Sequence, residues 1–222
     1  MAYSPHPHSQ TGACKKLFLE LSDVGYSDSY LFLGDIYCLG QGTNMDDEKA
    51  VFYYKKALQS ISKDDKPRIL YNAGVSSKRL KKYADAYKYY KESAELGYVN
   101  AMNNLGVLYE NGEGTTKNIK EAMKWYEKAG AGGNKHGYSN LGAIYRHGRV
   151  GVNQDLMRAK TYYEKSKANG NEEASEKIKQ IQKEISDYWA RYGLCRHCGG
   201  EFGGVFTKKC KNCGREKDYI SY

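Results

Sequence analysis

An alanine and, four residues on, an aromatic recur four times down this chain: Ala50 and Tyr54, Ala86 and Tyr90, Ala122 and Tyr126, Ala159 and Tyr163. The alanines stand 36, 36 and 37 residues apart. A fixed period of this length builds an array of stacked units, each covered by its neighbours, rather than one globular core. Upstream of each pair lies a matching segment, YLFLGDIY, LYNAGVSS, MNNLGVLY or YSNLGAIY, with a glycine at the same place: Gly34, Gly74, Gly106 and Gly142.

The pattern predicts a pair of helices per unit. In MNNLGVLY, the residues Met102, Leu105 and Tyr109 recur at helical spacing and mark one apolar face. The glycine removes a side chain where the partner helix comes close. In KEAMKWYEKA, the small Ala122 and large Tyr126 share a face one turn apart, so neighbouring helices interlock. Only 3 prolines interrupt 222 residues, which suits a helical chain. Many of the 22 tyrosines fall at repeat positions and read as inter-helix packing with hydroxyls near the surface.

The sequence of large apolar residue, Leu-Gly, Tyr and then Ala-x-x-x-aromatic resembles the tetratricopeptide repeat. Three units carry longer turns, LGQGTNMDD, NGEGTTKN and HGRVGVNQD, and so resemble the Sel-one-like repeat (SLR) family, over roughly residues 12–190. The second unit departs from this, with Ser77 in place of Tyr and the shorter tetratricopeptide spacing from Ser77 to Ala86. The resemblance implies an all-α fold, a right-handed α-solenoid of about four helix pairs. LFLELSDVGY (17–26) matches YYKESAELGY (89–98), so the repeats open on the second half of a unit. Ile178, Ile181, Ile185 and Trp189 lie on one face of a last helix, at about 171–190, whose other face is polar. That is the pattern of a terminal cap; a swapped or dimerising helix is the alternative.

The last thirty residues differ in kind. Cys195, Cys198, Cys210 and Cys213 are spaced Cys-x2-Cys-x11-Cys-x2-Cys. Each two-residue gap turns both thiolates towards one point, and two such pairs supply the four sulfur ligands that structural Zn2+ takes. Redox dithiols and a rubredoxin-like iron site share this spacing. His197 lies inside a knuckle turn and is not counted as a ligand. Phe202, Val205 and Phe206 between the pairs suit a short hairpin, so 191–222 resembles a small zinc-ribbon β-hairpin domain. Four thiolates close the coordination shell and make the metal structural. The expected organisation is a tail at 1–11, a repeat domain at 12–190 and the ribbon at 191–222.

No P-loop, His-Glu-x-x-His or nucleophile elbow is present, so the chain reads as a non-enzyme. No stretch approaches a membrane span and the N-terminus lacks a signal-like apolar run, so a cytoplasmic location is expected. The expected function is that of an adaptor or scaffold holding a protein or peptide partner in the concave surface of the repeats, as the family resemblance implies. On the family pattern the residues facing that surface are Tyr71, Asn72, Lys78, Asn103, Asn104, Glu110, Asn140, Arg146 and His147. Hydrogen bonding within the repeats is the other reading of the asparagines. The net charge of +9 and the ribbon cations Lys208, Lys209 and Lys211 leave nucleic-acid binding as the alternative function. Elsewhere the cations are spread along the chain, as on solvated helix faces.

Overall fold

The computed structural model describes residues 7–24, 26–59 and 64–191. The four ribbon cysteines and Lys208, Lys209 and Lys211 lie outside the described residues. Among the described residues the structure is all-α, with ten helices, no strand and one isolated bridge, Arg149 to Val152. They are α1 (Pro7–Asp23), α2 (Ser27–Leu39), α3 (Asp47–Ala57), α4 (Lys66–Arg79), α5 (Tyr83–Glu95), α6 (Val99–Asn111), α7 (Ile119–Ala131), α8 (Lys135–His147), α9 (Leu156–Ala168) and α10 (Ala174–Arg191). The pairs α2/α3, α4/α5, α6/α7 and α8/α9 are the four repeats. The chain divides into two compact units, one running to Gly137 and the other starting at Tyr138, inside α8.

Two boundaries differ from the sequence reading. α1 begins at Pro7, within the stretch read as a tail; proline suits a first helical position, where its missing N–H is no loss. The last helix begins at Ala174 rather than near 171. Asn171 is buried and its amide donates to Ser166 Oγ at 2.9 Å, so these residues form a polar turn ahead of the helix.

The glycine–tyrosine register explains each pair. A Cβ placed on Gly34, Gly74, Gly106 or Gly142 would lie 2.5, 2.7, 2.7 or 2.9 Å from the ring of Tyr54, Tyr90, Tyr126 or Tyr163. Those rings are at most 2% exposed, and Ala50, Ala86, Ala122 and Ala159 are fully buried beside them. The side chain that the glycine makes room for is therefore the aromatic of its own pair.

The long turns share one construction. Asp46, Asn118 and Asp155 each precede a second helix, and their side chains accept from Lys49, Glu121 and Arg158 N–H at 3.0, 3.1 and 2.9 Å. These caps satisfy an otherwise orphaned N–H. The backbone N–H of the same three residues donates to Tyr37, Tyr109 and Tyr145 carbonyls, closing each loop. The short turn of the second repeat has Lys82 at the capping place with no side-chain cap, and reaches α5 through Lys81 at φ 58°. The neighbouring long loop lies close over it, since Gly114 packs against the Tyr83 backbone with no room for a Cβ.

Among the described residues α10 is a first-type helix with no second helix following it. Lys177 Nζ donates to Ser139 Oγ at 3.2 Å, and Ile181 is fully buried as Leu108 is in α6. This register puts Ser175, Lys179 and Gln182 where α8 has Tyr138, Gly142 and Tyr145. The face that elsewhere receives a second helix is polar here, and the Lys179 side chain is 76% exposed. Ile181 and Ile185 bury the opposite face against Tyr163 and Ala159.

Candidate partner-binding surface

On each first helix, positions three before, one after and four after the glycine fall on one face. On α4 these are Tyr71, Val75 and Lys78; on α6 they are Asn103, Val107 and Glu110. All six are half-buried. Each row places one small apolar residue between two hydrogen-bonding ones. Tyr71 packs its ring against Tyr98 and Tyr90, with centroids 5.1 and 5.9 Å away. Lys78 Nζ lies 3.8 Å from Glu113 at the start of the next loop, joining the two rows at their far end. Glu110 accepts from the Tyr126 hydroxyl at 2.8 Å. Asn103 is within 3.5 Å of Asn104.

Asn72 and Asn104 do different work from the residues beside them. The Asn72 amide donates to Asp35 Oδ1 at 3.1 Å. The same carboxylate accepts from Tyr54 at 2.7 Å and from Arg68 at 3.1 Å. Asn104 is hydrogen-bonded to Tyr71 and Tyr90. Both asparagines thus tie a first helix back to the preceding repeat. Burial drives the Tyr54 phenol far above its ordinary range, and the Asp35 charge adds to this. Tyr90 is also raised by burial, against the opposing Asn104 hydrogen bond.

In the second unit Arg146 reaches α10, donating to Gln180 Oε1 at 3.2 Å and pairing with Glu184. Asn140 lies half-buried on α8 and His147 is exposed at the helix end. A groove of about 320 Å³ opens between α9 and α10, bordered by Leu156, Met157, Ile185, Tyr188 and Trp189.

Asp35 was not singled out by its sequence. The signal was there: LGDIY carries a charge where AGVSS, LGVLY and LGAIY carry Val or Ala. Arg79 was missed too. Its guanidinium donates to the Cys38 carbonyl at 2.9 Å and pairs with Asp47 at 2.7 Å, joining α4 to α2 and to the start of α3.

Tyrosines other than the four under the glycines stack on one another. Tyr30, Tyr53 and Tyr37 form a run with centroids 6.5 and 5.7 Å apart. Lys56 and Lys49 lie over its two ends, both 5.3 Å from a ring centroid. Tyr138, Tyr162 and Tyr145 repeat the arrangement at 6.1 and 5.5 Å, with Lys165 and Arg158 at the same register places. Ring faces occupied by neighbouring rings and cations are not laid out to receive bases.

Helix pairs with this glycine–tyrosine register, long capped turns and a period of 36 or 37 residues define an SLR-type repeat protein. The chain belongs to the Sel1 repeat family, whose model matches residues 27–60, 70–98, 99–134 and 136–171. Solved structures show the same fold. A Sel1 repeat protein from Oxalobacter formigenes is 23% identical over 81% of this chain and 70% of its own, with a TM-score of 0.58. A protective antigen of uropathogenic Escherichia coli, described as displaying an SLR fold, is 22% identical with a TM-score of 0.58. The match covers 86% of this chain but only 45% of that one. MamA is 18% identical over 78% of this chain and 99% of its own, with a TM-score of 0.56. A search of the curated proteins finds no match. Among the described residues no helix is long and apolar enough to cross a membrane, and no cluster of three metal-ligating side chains occurs.

Proposed function

We propose that this chain is a non-catalytic scaffold that holds an extended protein or peptide segment against the first-helix face of its repeats, working in the cytoplasm. The observation that carries this reading is the pair of rows Tyr71–Val75–Lys78 and Asn103–Val107–Glu110. Each offers an apolar centre flanked by hydrogen-bonding groups, and all six side chains keep part of their surface in water. An extended segment needs both kinds of contact: polar partners for its backbone and shallow apolar seats for its side chains. The membership of the Sel1 repeat family supports the reading, because stacked helix pairs present such surfaces repeatedly.

The C-terminal segment adds a structural Zn2+ held by Cys195, Cys198, Cys210 and Cys213. The support is the chemistry of the donor set: four soft thiolates in two close pairs. Lys208 and Lys209, just ahead of the second pair, and Lys211, inside it, would then serve as an accessory contact.

The test is affinity capture from host extract with the full chain, compared with a Lys78→Glu, Val107→Asp double variant. The reading expects a discrete protein set retained by the parent and lost by the variant at unchanged far-UV circular dichroism. Equal retention by both removes the α4/α6 face. Captured material that is nuclease-sensitive, and released steeply as salt rises, would instead favour nucleic acid.

A further inference from the structure

The most unusual surface lies away from those rows, where α1 meets α2. The match of LFLELSDVGY to YYKESAELGY makes α1 a second-type helix, with Cys14 at the alanine place and Phe18 at the tyrosine place. The structure agrees. Phe18 stacks on Phe32 with centroids 4.7 Å apart, and Phe32 holds in α2 the place that Asn104, the partner of Tyr90, holds in α6.

Each of Tyr54, Tyr90 and Tyr126 lies under the glycine of its own first helix. Among the described residues no helix covers Phe18 in this way. In that place is a groove of about 360 Å³ bordered by the apolar Phe18, Phe32, Ile36 and Leu39 with Cys14, and by Asp35 and Gln41. Leu17, Phe32 and Leu39 are 53%, 47% and 63% exposed.

What fits the groove follows from the next repeat along. In α4 the places of Phe32 and Leu39 are held by Asn72 and Arg79. Those two reach back to Asp35 and Cys38 of α2, one and four residues past Gly34. Phe32 and Leu39 stand ready to reach back in the same way, but with apolar side chains. The helix they meet must therefore carry apolar residues one and four places past its small residue, and the small residue itself must sit over Phe18. Among the described residues no free face meets that description: α10 has Lys179, Gln180 and Lys183 at the three places.

We infer that the α1/α2 groove is a docking slot for an amphipathic helix of another protein, with glycine or alanine at its centre and apolar residues one and four places on. The bound helix continues the repeat stacking by one half-unit. This site is separate from the α4/α6 rows and does not depend on them.

The probe is a labelled peptide of the α6 sequence, residues 99–111, with Glu110→Leu and a hydrocarbon crosslink between positions 100 and 104, its helicity verified by circular dichroism. It is titrated with the full chain. Saturable binding of one peptide per chain is expected. Phe32→Asp or Leu39→Asp in the protein should weaken it about tenfold or more, the effect of losing one well-seated apolar contact. Gly106→Leu in the peptide should weaken it comparably, and Val107→Asp in the protein should leave it unchanged. Both protein positions are exposed, and unaltered circular dichroism verifies folding. Absence of binding by the helical peptide overturns the inference, as does binding insensitive to both groove substitutions. So does a dimer in light scattering that Phe32→Asp dissociates, because the occupant is then a second copy of this chain.

Discussion

Gly106 lies so close under the ring of Tyr126 that a methyl group on its Cα would stand 2.7 Å from the ring carbons. Intrinsic propensity favours alanine over glycine inside a helix by about 1 kcal/mol. Packing opposes this here, because the ring is fully buried and has no open side to move towards. Gly106→Ala should therefore destabilise the chain by about 1–3 kcal/mol, the range for overpacking a filled core. Urea denaturation followed at 222 nm measures it. A neutral or stabilising result would show that the α6/α7 pair can separate at little cost.

Asp35 joins three helices, accepting from Tyr54 on α3 and from Arg68 and Asn72 on α4. Tyr54→Phe should cost about 1.5–3 kcal/mol, the net value of one hydrogen bond to a charged group. Asp35→Asn should cost more, since it weakens three bonds. In a double-mutant cycle the two changes should couple by about 0.5–1 kcal/mol, because they share a bond. Additive effects would mean that the carboxylate and phenol act independently.

The buried phenols set the alkaline limit of stability. Burial raises Tyr54, Tyr90 and Tyr163, and Tyr109 is pushed up to about 12 by burial together with the Tyr87 hydroxyl 2.9 Å away. Below the ordinary phenol value of 10.0 both folded and unfolded chains keep these protons, and the contribution is fully present. Above it the unfolded chain ionises first, so stability falls as pH climbs from 10 through the raised folded values. Denaturant midpoints should drop over that interval. In a phenolate absorbance titration, part of the tyrosine signal should appear late and together with the loss of helix. A single early titration of all 22 tyrosines would contradict the burial of these phenols.

Zinc removal should act locally. One Zn2+ per chain is expected, released by a strong chelator with proton uptake by the freed thiolates. The signal at 222 nm should change little, because the core clusters of the repeats are built from residues of the helix array itself. Collapse of the helical signal on chelation would show that the repeats depend on the ribbon.

The fold was legible because its determinant is a spacing. The glycine, alanine and tyrosine of each unit meet within one helix pair, so a 36-residue period already contains the contact. The role of the asparagines was not legible. Asn72 and Asn103 are both amides beside the glycine, yet one bonds to Asp35 of the preceding repeat and the other shares a half-exposed row with Val107. One residue of helical phase separates these fates, and only the position of the neighbouring helix decides between them. The family pattern grouped them together for that reason. The start of α1 at Pro7 was hidden because polar residues and two prolines there give no apolar period.

Lys179 occupies the glycine place of α10. A second helix laid on that face would have to bury an ammonium against an aromatic ring, with Ser175 and Gln182 on either side. The two terminal faces are thus chemically unlike: the one at α1 is greasy and concave, the one at α10 charged and closed. A further helix could stack on the face at α1, while charge opposes one on the face at α10. Among the described helices these two faces do not match each other, so concentrating the protein should not string copies together by α1 docking onto α10.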